Sequence, residues 1–509
     1  MPGGDTAPAR DDTDGMQTPP PQPPPVPRRT WRILDDRRLP ALEPFADTVR
    51  RLEPVVLREG VWDTDDRVLA AAGVELLGSD TGWALDRGDG PVELGPDYDG
   101  PDQTPDPGAP VPPRDAVEVF LRGRELRRVR IRDTVTTLVQ LLGKDGRVRA
   151  EVADVRVDEG DPDTALLRSA RWWALTDDAA GTAAARAVER ALDDHALDGS
   201  PAGDRARPPG SVPTPAGDRA TAVQGGASRR PRRGTAAAFV VGVLRALRSD
   251  LLAVDPRVRG DEPESVHELR KVLRRLRSVL AVYRGALDRG TTERLRTELA
   301  EVSRVAGTAR DAEVLRDRVV RAAARTPGDL VDAATLDAIT ARLEQGRAAA
   351  AAALRAALRS DGWFAALDHL DDLISRAPAG PRADQDGGVF IARRLDHDRE
   401  RLSRTTARRG GDLADLHEVR KAARRLRYSL DAAGGRPDVG KRRLDRLRRM
   451  QETLGEVLDA SHAVEDHRRA ATDAAAHGED TFGYGVLAAT EARVVAHERK
   501  RAERWLDRL

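Results

Sequence analysis

From Thr235 to the end of the chain, apolar residues recur at i, i+3, i+4 and i+7, the stripe that one face of an α-helix buries. Breaks rich in Gly, Pro or Asp interrupt it at "DPRVRGDEPE", "RGTT", "RTPGD", "RAPAGPRADQDGG", "RRGGD", "AGGRPD" and "HGED". The spacing predicts roughly eight helices joined by short connections, a helical bundle. Upstream the pattern is shorter and closer to alternation. "VVLREGVWDT", "GVELLG", "TGWALDRG" and "RVRIRDTVTTLVQLLGKDGRVRAEVADVRVDEG" read as strands, with Lys144-Asp145-Gly146 as a hairpin turn. A short helix is predicted over 179–196. Residues 1–29 are Pro-rich and poor in apolar side chains, so they predict a disordered tail; 197–235 read as a flexible linker. The expected domains are therefore the tail, a β-rich domain at 30–196, the linker, and a helical domain at 236–509.

A repeat organises the helical part. His267, Glu268, Arg270, Lys271, Arg274, Arg275, Leu276 and Arg277 recur at a constant offset of 150 as His417, Glu418, Arg420, Lys421, Arg424, Arg425, Leu426 and Arg427. Further on, "VAGTARDAEVL" matches "TLGEVLDASHAV" more loosely, pairing Gly307 with Gly455 and Asp311 with Asp459. The second copy lacks the Arg-Asp pair seen at Arg310–Asp311. The duplication predicts two four-helix units, about 236–375 and 388–509, related by a pseudo-twofold.

On a helical wheel Leu269, Val272, Leu273, Leu276, Val279 and Leu280 gather on one side of the first copy. His267, Arg270, Lys271, Arg274 and Arg277 gather on the other. The second copy divides alike, with Leu416, Val419, Ala423, Leu426 and Leu430 opposite His417, Arg420, Lys421 and Arg424. Like charges at helical spacing repel by a few tenths of a kcal/mol per pair, roughly. A solvated face explains one such stripe more easily than two that keep the same positions. Further basic runs lie at 391–409 and at 441–451, the latter carrying Lys441, Arg446 and Arg449. Facing one another, the stripes would line one positive groove suited to a ligand that repeats an anionic group. For Asp311 and Asp459 the expected role is a helix-internal ion pair with a groove arginine.

Composition narrows the classes. The chain is 33% charged and 3% aromatic with zero net charge, yet Lys and Arg outnumber Asp and Glu by 8 from Ala236 onward. With no cysteine, disulfides, thiolate metal sites and cysteine nucleophiles are excluded. No stretch reaches the roughly 18 to 20 apolar residues of a membrane span, and no leader is visible, so a soluble cytoplasmic protein is expected. Aromatics are scarce on the basic helices (Tyr428 falls on the basic face), which leaves little for base stacking. There is no HExxH, and eight of the nine histidines are scattered along the helical part. No Walker loop, GxGxxG or GxSxG stands in a convincing setting.

The doubled "VHELRKVLRRLRSVL"/"LHEVRKAARRLRYSL", with "AGTARDAEVL", closely resembles the CHAD domain, the conserved-histidine α-helical domain, over about 236–509. The resemblance implies a basic central groove that binds inorganic polyphosphate. By position, His267, Arg270, Lys271, Arg274, His417, Arg420, Lys421 and Arg424 match the family's basic motif. Arg277, Arg310, Arg427, Lys441, Arg446 and Arg449 complete the expected polyphosphate-binding set. Residues 30–196 resemble a degenerate CYTH domain, the triphosphate tunnel fold, through "VWDTDDRVLAAAGVEL" and the central hairpin. Its opening Glu-x-Glu-x-Lys is not visible; Glu75-Leu76-Leu77-Gly78 stands where Arg-x-Arg belongs, and Trp83-Ala84-Leu85-Asp86 where Lys-x-Lys does. The late paired glutamates are replaced near "RWWALTDD". Arg128, Arg130, Arg132, Arg147, Arg149, Glu151 and Asp154 remain, too few to hold Mg²⁺ or Mn²⁺ and clamp a triphosphate. The expectation is a non-catalytic polyphosphate binder at polyphosphate granules, with no cofactor, metal or membrane partner. Two alternatives stay open: a metal-dependent triphosphatase or polyphosphate-processing enzyme, and a nucleic-acid or ribosome-associated binder.

Overall fold

A computed structural model of the chain describes residues 27–88, 90–95, 111–162, 164–176, 183–195, 231–326, 330–331, 333–408, 413–433 and 441–506. The first part is one antiparallel sheet. Its strands are β1 (Pro27–Ile33), β2 (Thr48–Arg51), β3 (Val55–Asp63), β4 (Glu75–Ser79), β5 (Gly82–Asp86), β6 (Pro91–Leu94), β7 (Arg127–Leu142), β8 (Val148–Gly160) and β9 (Leu167–Thr176). They run in the order β1-β9-β8-β7-β3-β4-β5-β6. β2 and β3 lie end to end on one edge of the long β7: Thr48 faces Leu142, and Val55 faces Thr136. Gly146 takes the positive φ (74°) of the turn between β7 and β8, where Gly143 N–H donates to the Arg147 carbonyl at 2.9 Å.

β1 begins at Pro27, so residues 27–29 belong to the sheet and not to the predicted tail. The reason is local alternation: Trp31 and Ile33 are buried while Arg32 and Leu34 point outward. Residues 1–26 of the predicted tail and 197–230 of the predicted linker lie outside the described residues. α3 (Ala183–Asp193) lays Val188 and Leu192 over Trp31, Val139, Leu141, Val152 and Trp173. Two single-turn helices complete this part, α1 (Val68–Ala72) and α2 (Glu118–Leu121), the latter following a 3-10 turn at Arg114–Ala116.

The second part is all helix: α4 (Ala236–Arg259), α5 (Ser265–Val282), α6 (Arg289–Ala324), α7 (Ala333–Leu358), α8 (Asp361–Arg376), α9 (Gly387–Ala407), α10 (Leu413–Ala432), α11 (Lys441–Ala476) and α12 (Phe482–Leu506). That is nine among the described residues where about eight were predicted. The additional boundary is Ser360, whose hydroxyl accepts the Trp363 N–H at 3.2 Å and starts α8, while the Trp363 ring is wholly buried. α4 also runs through Pro256, which the pattern took for a break.

Thr235 and Asp386 cap α4 and α9, the first helices of the two repeats, and the caps touch. Ala236 N–H donates to the Gln385 carbonyl at 2.8 Å and Gly387 N–H to the Gly234 carbonyl at 2.7 Å. One hydrophobic core runs through both repeats, from Leu244, Leu269 and Leu276 to Val419, Leu426 and Leu454. At the far end Arg318, 3% exposed, reaches from α6 to Glu456 on α11 at 2.9 Å and to Glu491 on α12.

Candidate anion-binding site

α5 forms because its apolar residues fall on one face, and Leu269, Val272, Leu273, Leu276, Val279 and Leu280 are all buried there. α10 does the same with Leu416, Val419, Ala423, Leu426 and Leu430, and it packs against α5. The consequence is that the two basic stripes converge. Arg274 and Arg424 are equivalent in the repeat, and Arg424 lies in the field of Arg274. Desolvation pushes Arg424 down to about 10, reinforced by Arg274 and Arg420. Arg274 is lowered for the same reasons, burial first and then Arg270, Arg420 and Arg427, with Tyr428 acting the other way. Both stay cationic at neutral pH.

Neither arginine has a carboxylate partner among the described residues. The Nε atoms of Arg274, Arg277 and Arg427 are buried without an acceptor. A buried donor left unpaired costs about 1–3 kcal/mol. Arg277 is lowered by burial and then by Arg296. The Arg427 guanidinium stacks 5.1 Å from the ring centre of Tyr428, which is itself buried beneath the arginines instead of lying on the basic face.

Away from this centre the stripes acquire counter-charges. Arg270 Nη1 donates to Asp311 Oδ1 at 2.8 Å, and Arg420 Nη1 stands 3.7 Å from Asp459 Oδ1. These ion pairs join α5 to α6 and α10 to α11, so they lie between helices and not within one. A Cβ on Gly455 would meet Arg420 Nη2 at 3.2 Å, whereas one on Gly307 would meet nothing within 4 Å. The matched glycines are thus unequal: only Gly455 makes room for an arginine. Arg310 is engaged by Glu313 at 2.8 Å and lies 3.6 Å from Glu264. Lys421 donates to Glu418 at 2.8 Å.

Both histidines titrate below their ordinary value. For His267 desolvation acts first, followed by Arg310, with Glu264 opposing. For His417 desolvation is followed by Lys421. Arg449 is exposed on α11. The side chains of Lys441 and Arg446 lie outside the described residues.

Two arginines that sequence reasoning did not select share part of the centre's character, although Arg399 Nη1 also donates to Asp396 at 2.8 Å and Arg394 to the Arg284 carbonyl at 3.0 Å. Arg394 and Arg399, both on α9, have buried Nε atoms without an acceptor. Arg394 is lowered by burial and then by Arg382 and Arg425. Their charge run at 391–409 was visible, but which of its arginines turn inward depends on α10, where Arg425 and Ser429 converge on the buried Asp398 at 2.7 and 2.6 Å.

Arg130, Arg132 and Arg171 of the sheet are each held by carboxylates. Arg130 meets Glu75 at 3.2 Å and Glu159 at 3.3 Å; Arg132 meets the same two at 2.9 and 2.8 Å. Arg171 forks onto Asp154. Glu75, standing where an arginine was expected, is one of the neutralising carboxylates. Among the described residues no group of three or more His, Asp or Glu side chains is placed to hold a metal ion.

A duplicated all-helical domain whose cationic helices meet at their own pseudo-twofold is the class that the fold and the seam define. Residues 242–468 match the model of the CHAD domain, and the β-rich part before it is consistent with a CYTH-like domain. Among curated proteins the chain is 31% identical over 266 residues to Uncharacterized protein MT2285 of Mycobacterium tuberculosis (strain CDC 1551 / Oshkosh). The figures are the same for Uncharacterized protein Rv2226 of strain ATCC 25618 / H37Rv. The match covers 51% of this chain and 50% of each relative, so the chain spans about half the length of the curated relatives it matches. Among solved structures it is similar to PptA from Streptomyces chartreusis, at 24% identity and a TM-score of 0.46, over 54% of this chain and 98% of that one. It is also similar to the CHAD domain from the plant Ricinus communis, at 23% and 0.45, over 56% and 98%.

Proposed function

We propose that the helical domain binds inorganic polyphosphate along the seam between its repeats, as a binding protein and not an enzyme, and that this binding places the protein at polyphosphate granules. One observation carries the reading. Arg274 and Arg424 lie half-buried at the meeting of α5 and α10 and without carboxylate partners among the described residues, with the Nε donors of Arg274, Arg277 and Arg427 unsatisfied there. A ligand with closely spaced phosphates supplies what these groups lack, at about 1.5–3 kcal/mol for each charge-assisted hydrogen bond. The CHAD match over 242–468 supports polyphosphate as that polyanion. The carboxylates that quench Arg130 and Arg132 support a β domain without triphosphatase chemistry.

The test is a titration of the full chain with long-chain polyphosphate at fixed salt, with duplex DNA and RNA as competitors. Retention of polyphosphate against equal phosphate concentrations of either competitor is the expected result. Displacement at equal phosphate would overturn it. Metal-dependent release of phosphate from short chains would move the protein to the enzymes.

A further inference from the structure

A surface remote from the arginine seam joins the two parts of the chain. It is built by "PRDAVEVFLRGR", residues 113–124, which hold the 3-10 turn and α2. Val117 and Leu121 belong to the apolar cluster of the β domain, with Leu69, Leu76 and Leu85. Val119, between them, belongs to the core of the helices, and Phe120 packs against both. One turn of chain therefore inserts into two cores.

Charges surround the insertion. Asp115, 6% exposed, accepts from Arg359 at 3.1 Å and from Arg259 at 3.3 Å. Arg259 is itself buried: it donates to Asp255 at 2.5 Å and to the Leu358 carbonyl at 2.5 Å, and Trp363 Nε1 donates to Asp255 at 3.1 Å. Seven residues after Asp115, Arg122 reaches Asp368 and Asp371 on α8, and Asp371 also accepts from Arg248 on α4. Arg122 has a positive φ (52°), a conformation that costs a residue with a side chain of order 1–3 kcal/mol unless its surroundings hold it. The following Gly123 (φ 83°) brings the backbone against Phe364.

The first repeat alone carries the receiving half. Whether the repeats are matched by their basic motifs or by the caps Thr235 and Asp386, a threonine, Thr405 or Thr406, stands where Asp255 does. The buried carboxylate that holds Arg259 thus has no counterpart at that position of the second repeat.

We infer that the elbow between α7 and α8, with the end of α4, is a docking socket whose occupant is the 113–124 turn of this chain's own β domain. The β domain and the first repeat then move as one body. This is independent of what binds the seam.

The experiment compares the full chain with Arg122→Glu and with the charge exchange Arg122→Glu plus Asp368→Arg, by amide hydrogen exchange at 113–124 and by the radius of gyration in solution. In Arg122→Glu these amides exchange on the order of a hundredfold faster and the radius rises, while helical content holds. The charge exchange recovers part of both, because Asp371 still faces the new carboxylate. Unchanged exchange and radius in Arg122→Glu would overturn the inference, as would equal loosening in the single and the exchanged chains. Should Arg122→Glu lower the helical signal itself, Asp368→Ala, at the exposed rim, reads the same contact.

Discussion

Arg274 and Arg424, 150 residues apart and equivalent in the repeat, lie on α5 and α10 where the two helices meet, and the charge of Arg274 adds to the burial that loosens Arg424's hold on its proton. Two guanidiniums brought together without an anion are a standing cost to the fold. Such a cost persists where a ligand repays it on binding.

Arg274→Gln and Arg424→Gln are therefore expected to leave stability unchanged or raise it by up to about 1 kcal/mol, because each removes a repulsion and no ion pair. Polyphosphate affinity is expected to fall about tenfold per substitution. Thermal denaturation set beside a binding titration checks the opposite signs.

Binding is expected to strengthen on acidification. His267 and His417 sit below 6.5 in the free protein, so their charged forms are disfavoured there. A polyanion alongside favours the charged forms, so binding takes up protons and affinity rises as pH falls through the region below 6.5. The double change His267→Ala and His417→Ala should flatten that dependence, which affinity measured at fixed salt across pH 5 to 8 reads directly (roughly the histidine window).

Gly307 and Gly455 are expected to part company. Gly307→Ala meets open space inside a helix and should stabilise by roughly 0.5–1 kcal/mol. Gly455→Ala presses on the Arg420 guanidinium, the far end of a flexible side chain. It should spare the fold and weaken polyphosphate binding severalfold. Paired melting and titration curves distinguish the two.

Arg318→Ala strands Glu456 and Glu491 at the join of α6 with α11 and α12. A buried pair broken on one side costs about 3–5 kcal/mol, a fall in melting temperature of roughly 10 °C. Arg318→Met, which fills the space, should cost no less as long as both carboxylates stay. Adding Glu491→Gln to it should recover part of the loss.

The repeat made the seam legible because a constant offset of 150 keeps charge type as well as spacing, and equivalent faces meet at a twofold. What stayed hidden depended on long-range contacts. Ser360 looked like one more polar residue in an Ala-Leu run until Trp363 was buried beside it. Arg394 and Arg399 lay in a visible charge run, but α10 decides which way they face. Asp311 and Asp459 were expected to pair along their own helix and instead pair across to α5 and α10, since the arginines lie on the face those helices share. The loss of cations in the β domain could be read from Glu75; that the same residue neutralises Arg130 and Arg132 could not, since the strands that bring them together are 55 residues apart.

The touching caps at Thr235 and Asp386 fix where the polypeptide enters its helical body: at the boundary between the repeats, not at an outer edge. A fluorophore or purification handle placed just ahead of residue 231 would leave from that midline. It would stand in the same relation to both halves, a neutral vantage from which to watch which repeat a ligand reaches first.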